Sequence, residues 1–247
     1  MEYYRLLLFI FFGILPSLIW LSYYLAKDLH PEPKRMIIKV FLYGAAVTIP
    51  VYFLQVGLIG LLDQLQDMNI ISYSVIVFDV LKWFFIIAFT EEVSRYWVVK
   101  YAALNNSELD EPLDIMLYMV VAALGFAALE NILYLFSPIY NQSFEQVLSQ
   151  TVTISFIRFI GATFLHTLCS ALIGYFWVKS LFDHKRKFFI IIGVLLASLL
   201  HGLYDLSIIA LRGPFTLLVP GFIIVGLALF MIYDFDEVKK FKGICKL

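Results

Sequence analysis

Two adjacent carboxylates, Glu91 and Glu92, followed by Arg95, interrupt an apolar run long enough to cross a bilayer. An ionised carboxylate in such a place costs several kcal/mol unless it is paired or protonated, so side-by-side acids in a span mark a functional site by default. Glu130, His166, His201 and Asp205 interrupt other apolar runs far along the chain. Counted at ~1.5 Å per residue from the Lys-bearing helix ends, Glu92, His166 and His201 fall about 12–21 Å deep, with Glu130 and Asp205 somewhat deeper. Brought together, these groups would supply a general base and donors for a developing oxyanion, the parts needed to hydrolyse an acyl bond.

Local spacing distributes the roles. Glu91 and Arg95 stand four apart on one helical face, so Arg95 is expected to pair with Glu91, while Glu92 points about 100° away with no such partner. The bland reading is a structural ion pair; Glu92 is the residue that it does not absorb. Phe126 and Glu130 repeat the four-residue spacing in GFAALEN, where Asn131 adds an amide to a stretch of small residues suited to close helix packing. His201 is followed at the same spacing by Asp205, which can orient an imidazole. His30 and His184 lie in interfacial loops beside basic residues and are read as solvated. Arg158 lies two turns before His166, with Gly161 and Gly174 on either side of the histidine, which suggests a helix surface open to a neighbour or substrate. Asp79 and Lys82 are read as a structural pair.

Other chemistries fit less well. Two histidines and a carboxylate would satisfy a catalytic zinc, yet no H-E-x-x-H helix is present, so the expectation is a site without a cofactor, with zinc as the competing reading. Cys169 lies three residues from His166, but no helix end or CxxC motif activates the thiol, and Cys245 is too distant in depth for a disulfide. No G-x-S-x-G, P-loop or dinucleotide fingerprint occurs.

The elements that must position these residues are membrane helices. Of 247 residues, 62% are hydrophobic and 15% charged, against about 25% charged in an ordinary soluble domain, and the mean hydropathy is +0.89. The fold class is all-α: a polytopic transmembrane helical bundle of about seven spans, near residues 6–26, 36–62, 72–100, 113–136, 151–179, 188–211 and 215–233, each meeting the roughly 20 residues that a bilayer requires. The first span is read as retained, since it is longer than a cleavable signal core and no small-residue cleavage site follows it. Lys27, Lys34, Arg35, Lys39, Arg95, Lys100, Lys179, Lys185, Arg186, Lys187, Lys239, Lys240, Lys242 and Lys246 all fall on one side, against Arg5 and Arg212 on the other. That asymmetry puts the N-terminus outside and the C-terminus in the cytoplasm. Residues 1–247 form a single domain in the cell membrane, with the bilayer as partner and no basic stripe for nucleic acid.

The motifs EEVSR (Glu91, Glu92, Arg95), GFAALENILYL (Phe126, Glu130), the His166–Gly174 segment and HGLYD (His201, Asp205) occur in that order on separate spans. In this the chain resembles the PrsW family of bacterial intramembrane proteases, related to the CAAX prenyl proteases. The resemblance implies glutamate-dependent peptide hydrolysis, with Glu91 or Glu92 activating water and His166 and His201 serving the tetrahedral intermediate. Glu130, Asp205, Arg95, Phe126, Asn131 and Arg158 would complete or support the site. It also implies a single-pass membrane protein as substrate, an anti-sigma factor cut in the first step of a stress-response cascade. Glu130 stands where the prenyl proteases have His, so their mechanism does not transfer unchanged. Without the resemblance, the same buried set would suit a proton-coupled transporter or channel, although no inverted repeat or matched pair of broken helices is evident. A non-catalytic scaffold would explain the small-residue faces but not the ionisable groups.

Overall fold

A computed structural model describes residues 2–27, 30–103, 109, 111–136, 143–182 and 186–238. His184, Lys185, Lys239, Lys240, Lys242, Cys245 and Lys246 lie outside these residues. The described chain is helical, with α1 (Glu2–Leu25), α2 (Lys34–Asp67), α3 (Val75–Val80), a π-helical segment (Leu81–Ala88), α4 (Phe89–Ala102), α5 (Pro112–Leu135), α6 (Phe144–Ile160), α7 (Ala162–Phe182), α8 (Arg186–Ala210) and α9 (Phe215–Val238). Among the described residues, six helical stretches are long and apolar enough to cross a membrane: Tyr3–Leu25, Lys34–Asp67, Pro112–Leu135, Phe144–Phe182, Lys187–Ala210 and Phe215–Tyr233.

Two of the expected spans differ in form. The third, near 72–100, is absent from those six stretches and is built from α3, the π segment and α4 in succession. Asp79, Lys82, Glu91, Glu92 and Arg95 dilute its apolar character, and the widened π turn, a feature frequent at functional sites, lies just before the acids. The expected Asp79–Lys82 pair does not form: Lys82 Nζ sits 4.9 Å over the Trp83 ring instead. The fifth, near 151–179, belongs to a 39-residue helical stretch that would reach about 58 Å if straight, far more than the ~30 Å hydrocarbon core. It breaks at Gly161 (φ −90°, ψ −98°). Trp20 of α1 fixes that break, its indole N–H donating to the Phe159 carbonyl at 3.0 Å while its ring stacks on Phe164 at 4.2 Å.

The core forms around α5. Every residue from Asp114 to Ala128 is buried, as expected of a helix apolar on all sides. It packs chiefly against α2 and α7, with α1 alongside, and α7 in turn packs on α8. Small residues set the α2–α5 distance. A side chain at Gly125 would run into the Phe41 carbonyl oxygen, and one at Gly44 into that of Ala122, the close backbone approach that drives helix association where no hydrophobic effect operates. The surface around His166, expected to be open to a neighbour or substrate, takes neighbours: Gly174 faces Met116 and Gly161 faces the Tyr204 hydroxyl.

Candidate active site

The α5–α7 and α7–α8 contacts bring His166 and His201 to α4, where the acids begin. The imidazole rings meet edge to face, with centroids 4.9 Å apart, and Glu91, His166 and His201 each offer a ligand atom within 4.8 Å of the others. Groups more than a hundred positions apart in sequence thus share one site.

The two glutamates occupy different places. Glu92 is completely buried, and its Oε1 accepts from Arg95 Nη2 at 2.6 Å and from His201 Nδ1 at 2.9 Å. The nearest approach of Arg95 to a Glu91 carboxylate oxygen is 3.9 Å. The expected Glu91–Arg95 pair is present but long, and the closer partner of Arg95 is Glu92. A guanidinium reaches the third residue back along a helix as readily as the fourth, and the carboxylate lying deepest in the protein takes the charge. Glu92, expected to be unpartnered, is the paired acid; Glu91 is the one that lines a cavity.

That cavity, of about 320 Å³, is lined by Thr48, Tyr52 and Gln55 of α2, Trp83 and Ile87 of the π segment, Glu91, Phe126, Glu130, Leu133, Tyr134, Arg158, Ala162, Leu165, His166, His201 and Asp205. The side chains of Glu91 and His201 are 5% and 4% exposed, whereas those of Glu130 and Asp205 are 19% and 22% exposed. Its accessible side therefore lies toward Glu130 and Asp205.

Around it the polar groups form one chain of contacts. Arg158 donates to Glu130 at 2.8 Å and to Asn131, and its guanidinium lies 3.9 Å over the Tyr134 ring. Asn131 in turn donates to Thr163 and to the Gly13 carbonyl. Glu130 accepts from His166 Nε2 at 2.8 Å, and His166 Nδ1 meets Arg95 Nη1 at 2.6 Å. Because a guanidinium has donors only, Nδ1 must accept, and the His166 proton sits on Nε2. Arg95 also lies 5.1 Å from the centre of the Phe126 ring. On the far side, His201 Nε2 lies 3.4 Å from Asp205 Oδ2 and 3.9 Å from Glu91 Oε2. Glu91, Glu92, Arg95, Phe126, Glu130, Asn131, Arg158, His166, His201 and Asp205 are thus in this network, and it adds Gln55, Thr90 and Tyr134, to which the motifs assign no role. Gln55 had a signal of its own: it is the one amide in an otherwise apolar run of α2, where a polar group is expensive.

Buried Glu91 Oε2 has no hydrogen-bond partner, a position that calls for a water, a proton or a cation. A divalent ion fits the donor set. His201 donates Nδ1–H to Glu92, the carboxylate–histidine arrangement usual in metal sites, and its Nε2, 3.4 Å from Asp205 Oδ2, would bind an ion on giving up that contact. Glu91 Oε2 and His201 Nε2, 3.9 Å apart, can both approach one ion at ~2.0–2.2 Å. His166 becomes the third donor only by exchanging its bond to Arg95 or Glu130.

A bundle of membrane helices enclosing paired glutamates, two histidines and a cavity holds the parts an intramembrane hydrolase needs. Residues 32–233 match the sequence model of PrsW-protease, described as the PrsW family of intramembrane metalloproteases. The chain belongs to this family and is a multi-pass membrane peptidase. It is 30% identical over 217 residues to Protease PrsW of Oceanobacillus iheyensis, covering 86% of this chain and 88% of that one. It is 29% identical over 200 residues to Protease PrsW of Geobacillus kaustophilus (80% and 78% covered) and over 202 residues to that of Bacillus subtilis (81% and 82%). No solved structure matches. Membership sets aside the transporter and scaffold readings, and the family description runs against a site expected to need no metal.

Proposed function

We propose that the protein is an endopeptidase that cuts a membrane-anchored protein within or beside the bilayer, with Glu91 as the reacting carboxylate. The observation that carries this reading is that Glu91, its Oε2 unpartnered, lines the cavity, while Glu92, whose Oε2 is likewise unpartnered, is outside that lining and is held through Oε1 by Arg95 and His201. The 3.9 Å gap between Glu91 Oε2 and His201 Nε2 is one that a water can bridge.

In the proposed reaction, water gives its proton to Glu91 as its oxygen bonds to the scissile carbonyl carbon. His166 Nε2–H, turned from Glu130, donates to the oxyanion. Collapse of the tetrahedral species breaks the C–N bond, and the proton on Glu91 passes to the departing amine. Glu92 and Asp205 hold the His201 ring, while Arg95 holds both Glu92 and His166. Phe126 walls Arg95, and Arg158 with Asn131 fixes Glu130. A divalent ion bound by Glu91, His201 and His166 would supply Lewis acidity to the carbonyl and a more acidic water.

The basic clusters support an outside N-terminus and a cytoplasmic C-terminus. The likeness to PrsW supports a single-pass anti-sigma factor as the substrate, cut on its extracytoplasmic side in a first step. The test is cleavage of single-pass reporters by the purified protein in proteoliposomes, with the cut mapped by mass spectrometry. A single cut in or beside the reporter's span, lost in His201→Ala, is expected. Absence of any cut across a panel of anti-sigma-type reporters would refute the substrate class.

A further inference from the structure

Thr90 and Gln55 stand between the π-helical segment and Glu91, and no motif accounts for either. The Thr90 hydroxyl lies 2.5 Å from the Ile86 carbonyl and 3.1 Å from that of Ile87. Its proton is thereby committed to the backbone at the point where the π turn ends, and its lone pair is left as an acceptor. Gln55 Nε2 lies 3.2 Å from that hydroxyl oxygen and 3.2 Å from Glu91 Oε1. An amide nitrogen has two hydrogens, and here each meets an acceptor. Turning the amide round would set its oxygen against a carboxylate oxygen and a hydroxyl with no proton to give. One orientation of Gln55 is thus selected.

From this geometry we infer that Gln55 is a positioning residue for the reacting carboxylate. Its amide engages Glu91 Oε1, which fixes the rotation of the carboxylate and directs Oε2 toward His201. Thr90, anchored by the π turn, holds Gln55 in that orientation. The path runs across the α2–α4 contact, since Gln55 comes from α2 and Glu91 from α4. Neither glutamine atom needs to touch the substrate for this role. The requirement is chemical: a carboxylate with two equivalent oxygens can use one for chemistry reproducibly only when the other is held.

The inference rests on Glu91 as the reacting group, and the experiment separates the two claims. The full chain carrying Gln55→Met, which keeps length and removes the donor, is reconstituted beside Thr90→Val and Glu91→Gln. Each is assayed for kcat and KM on a single-pass reporter and for its unfolding temperature. Gln55→Met is expected to lower kcat about 10–100-fold, the usual effect of removing a group that orients a reacting ligand, with KM within about twofold. Its unfolding temperature should match wild type, and Thr90→Val should give a smaller loss of the same kind. A loss confined to KM would overturn the inference by making Gln55 a substrate contact. So would unchanged kcat in Gln55→Met while Glu91→Gln is inactive. Full cleavage by Glu91→Gln would instead remove the proposed function, and this inference with it. If Gln55→Met does not accumulate as folded protein, Thr90→Val decides, and unchanged kcat there overturns the inference.

Discussion

Neutralising Glu92 should damage the fold more than neutralising Glu91. The Arg95 and Glu92 side chains are both fully buried and 2.6 Å apart. In Glu92→Gln the guanidinium keeps only the Glu91 carboxylate at 3.9 Å, the Glu91 carbonyl at 3.2 Å and the neutral His166 ring. Removing one partner of a buried pair costs about 3–5 kcal/mol, and the surviving Glu91 charge places this case near the lower end. At about 2–4 °C per kcal/mol for a chain of this size, the unfolding temperature should fall by about 6–12 °C. Glu91→Gln leaves the Glu92–Arg95 pair intact and gives up only 3.9 Å contacts, with Arg95 and His201, so its cost should stay below about 2 kcal/mol. Buried Cys169 supplies the assay. In a Cys245→Ser background, a thiol-reactive fluorophore reports unfolding as Cys169 is uncovered, with all variants heated at one scan rate because membrane proteins seldom refold reversibly. A fall in Glu91→Gln as large as in Glu92→Gln would refute the assignment of structural and reacting roles.

Three further outcomes follow from the geometry. Gly125→Val forces α5 off the Phe41 carbonyl and should leave Cys169 open to thiol labelling at 25 °C, where wild type is protected. Arg158→Lys replaces a fork that grips both Glu130 and Asn131 by a point charge, and kcat should fall about tenfold while the unfolding temperature changes little. Chelation of the purified protein should lower cleavage more than tenfold, with recovery on adding zinc, as expected when a metal ion generates the nucleophile; undiminished cleavage after the ion content has been measured as nil would exclude a metal role.

Six of the expected spans were legible because long apolar runs ended at polar breaks, and the ionisable cluster because each of its members is costly in a span. The pairing among them was not. Arg95 is within helical reach of both glutamates, and only the depth of α4 in the bundle decides between them. The break at Gly161 was hidden because hydropathy continues unchanged through Phe159–Phe164; its cause is Trp20, whose contact is made 139 residues away. The π segment left no mark in composition, since an apolar run serves equally for either helix type. Gln55 was legible in principle, but a single amide carries no spacing that points to Glu91 across two helices.

The most direct measurement is the turnover of Glu91→Gln, reconstituted and shown to be folded, on a reporter that wild type cuts. General-base loss predicts a fall of about 10²–10⁴-fold with the unfolding temperature within a few degrees of wild type. Cleavage within a few-fold of wild type would contradict the account and return the chemistry to Glu92 or to the histidines.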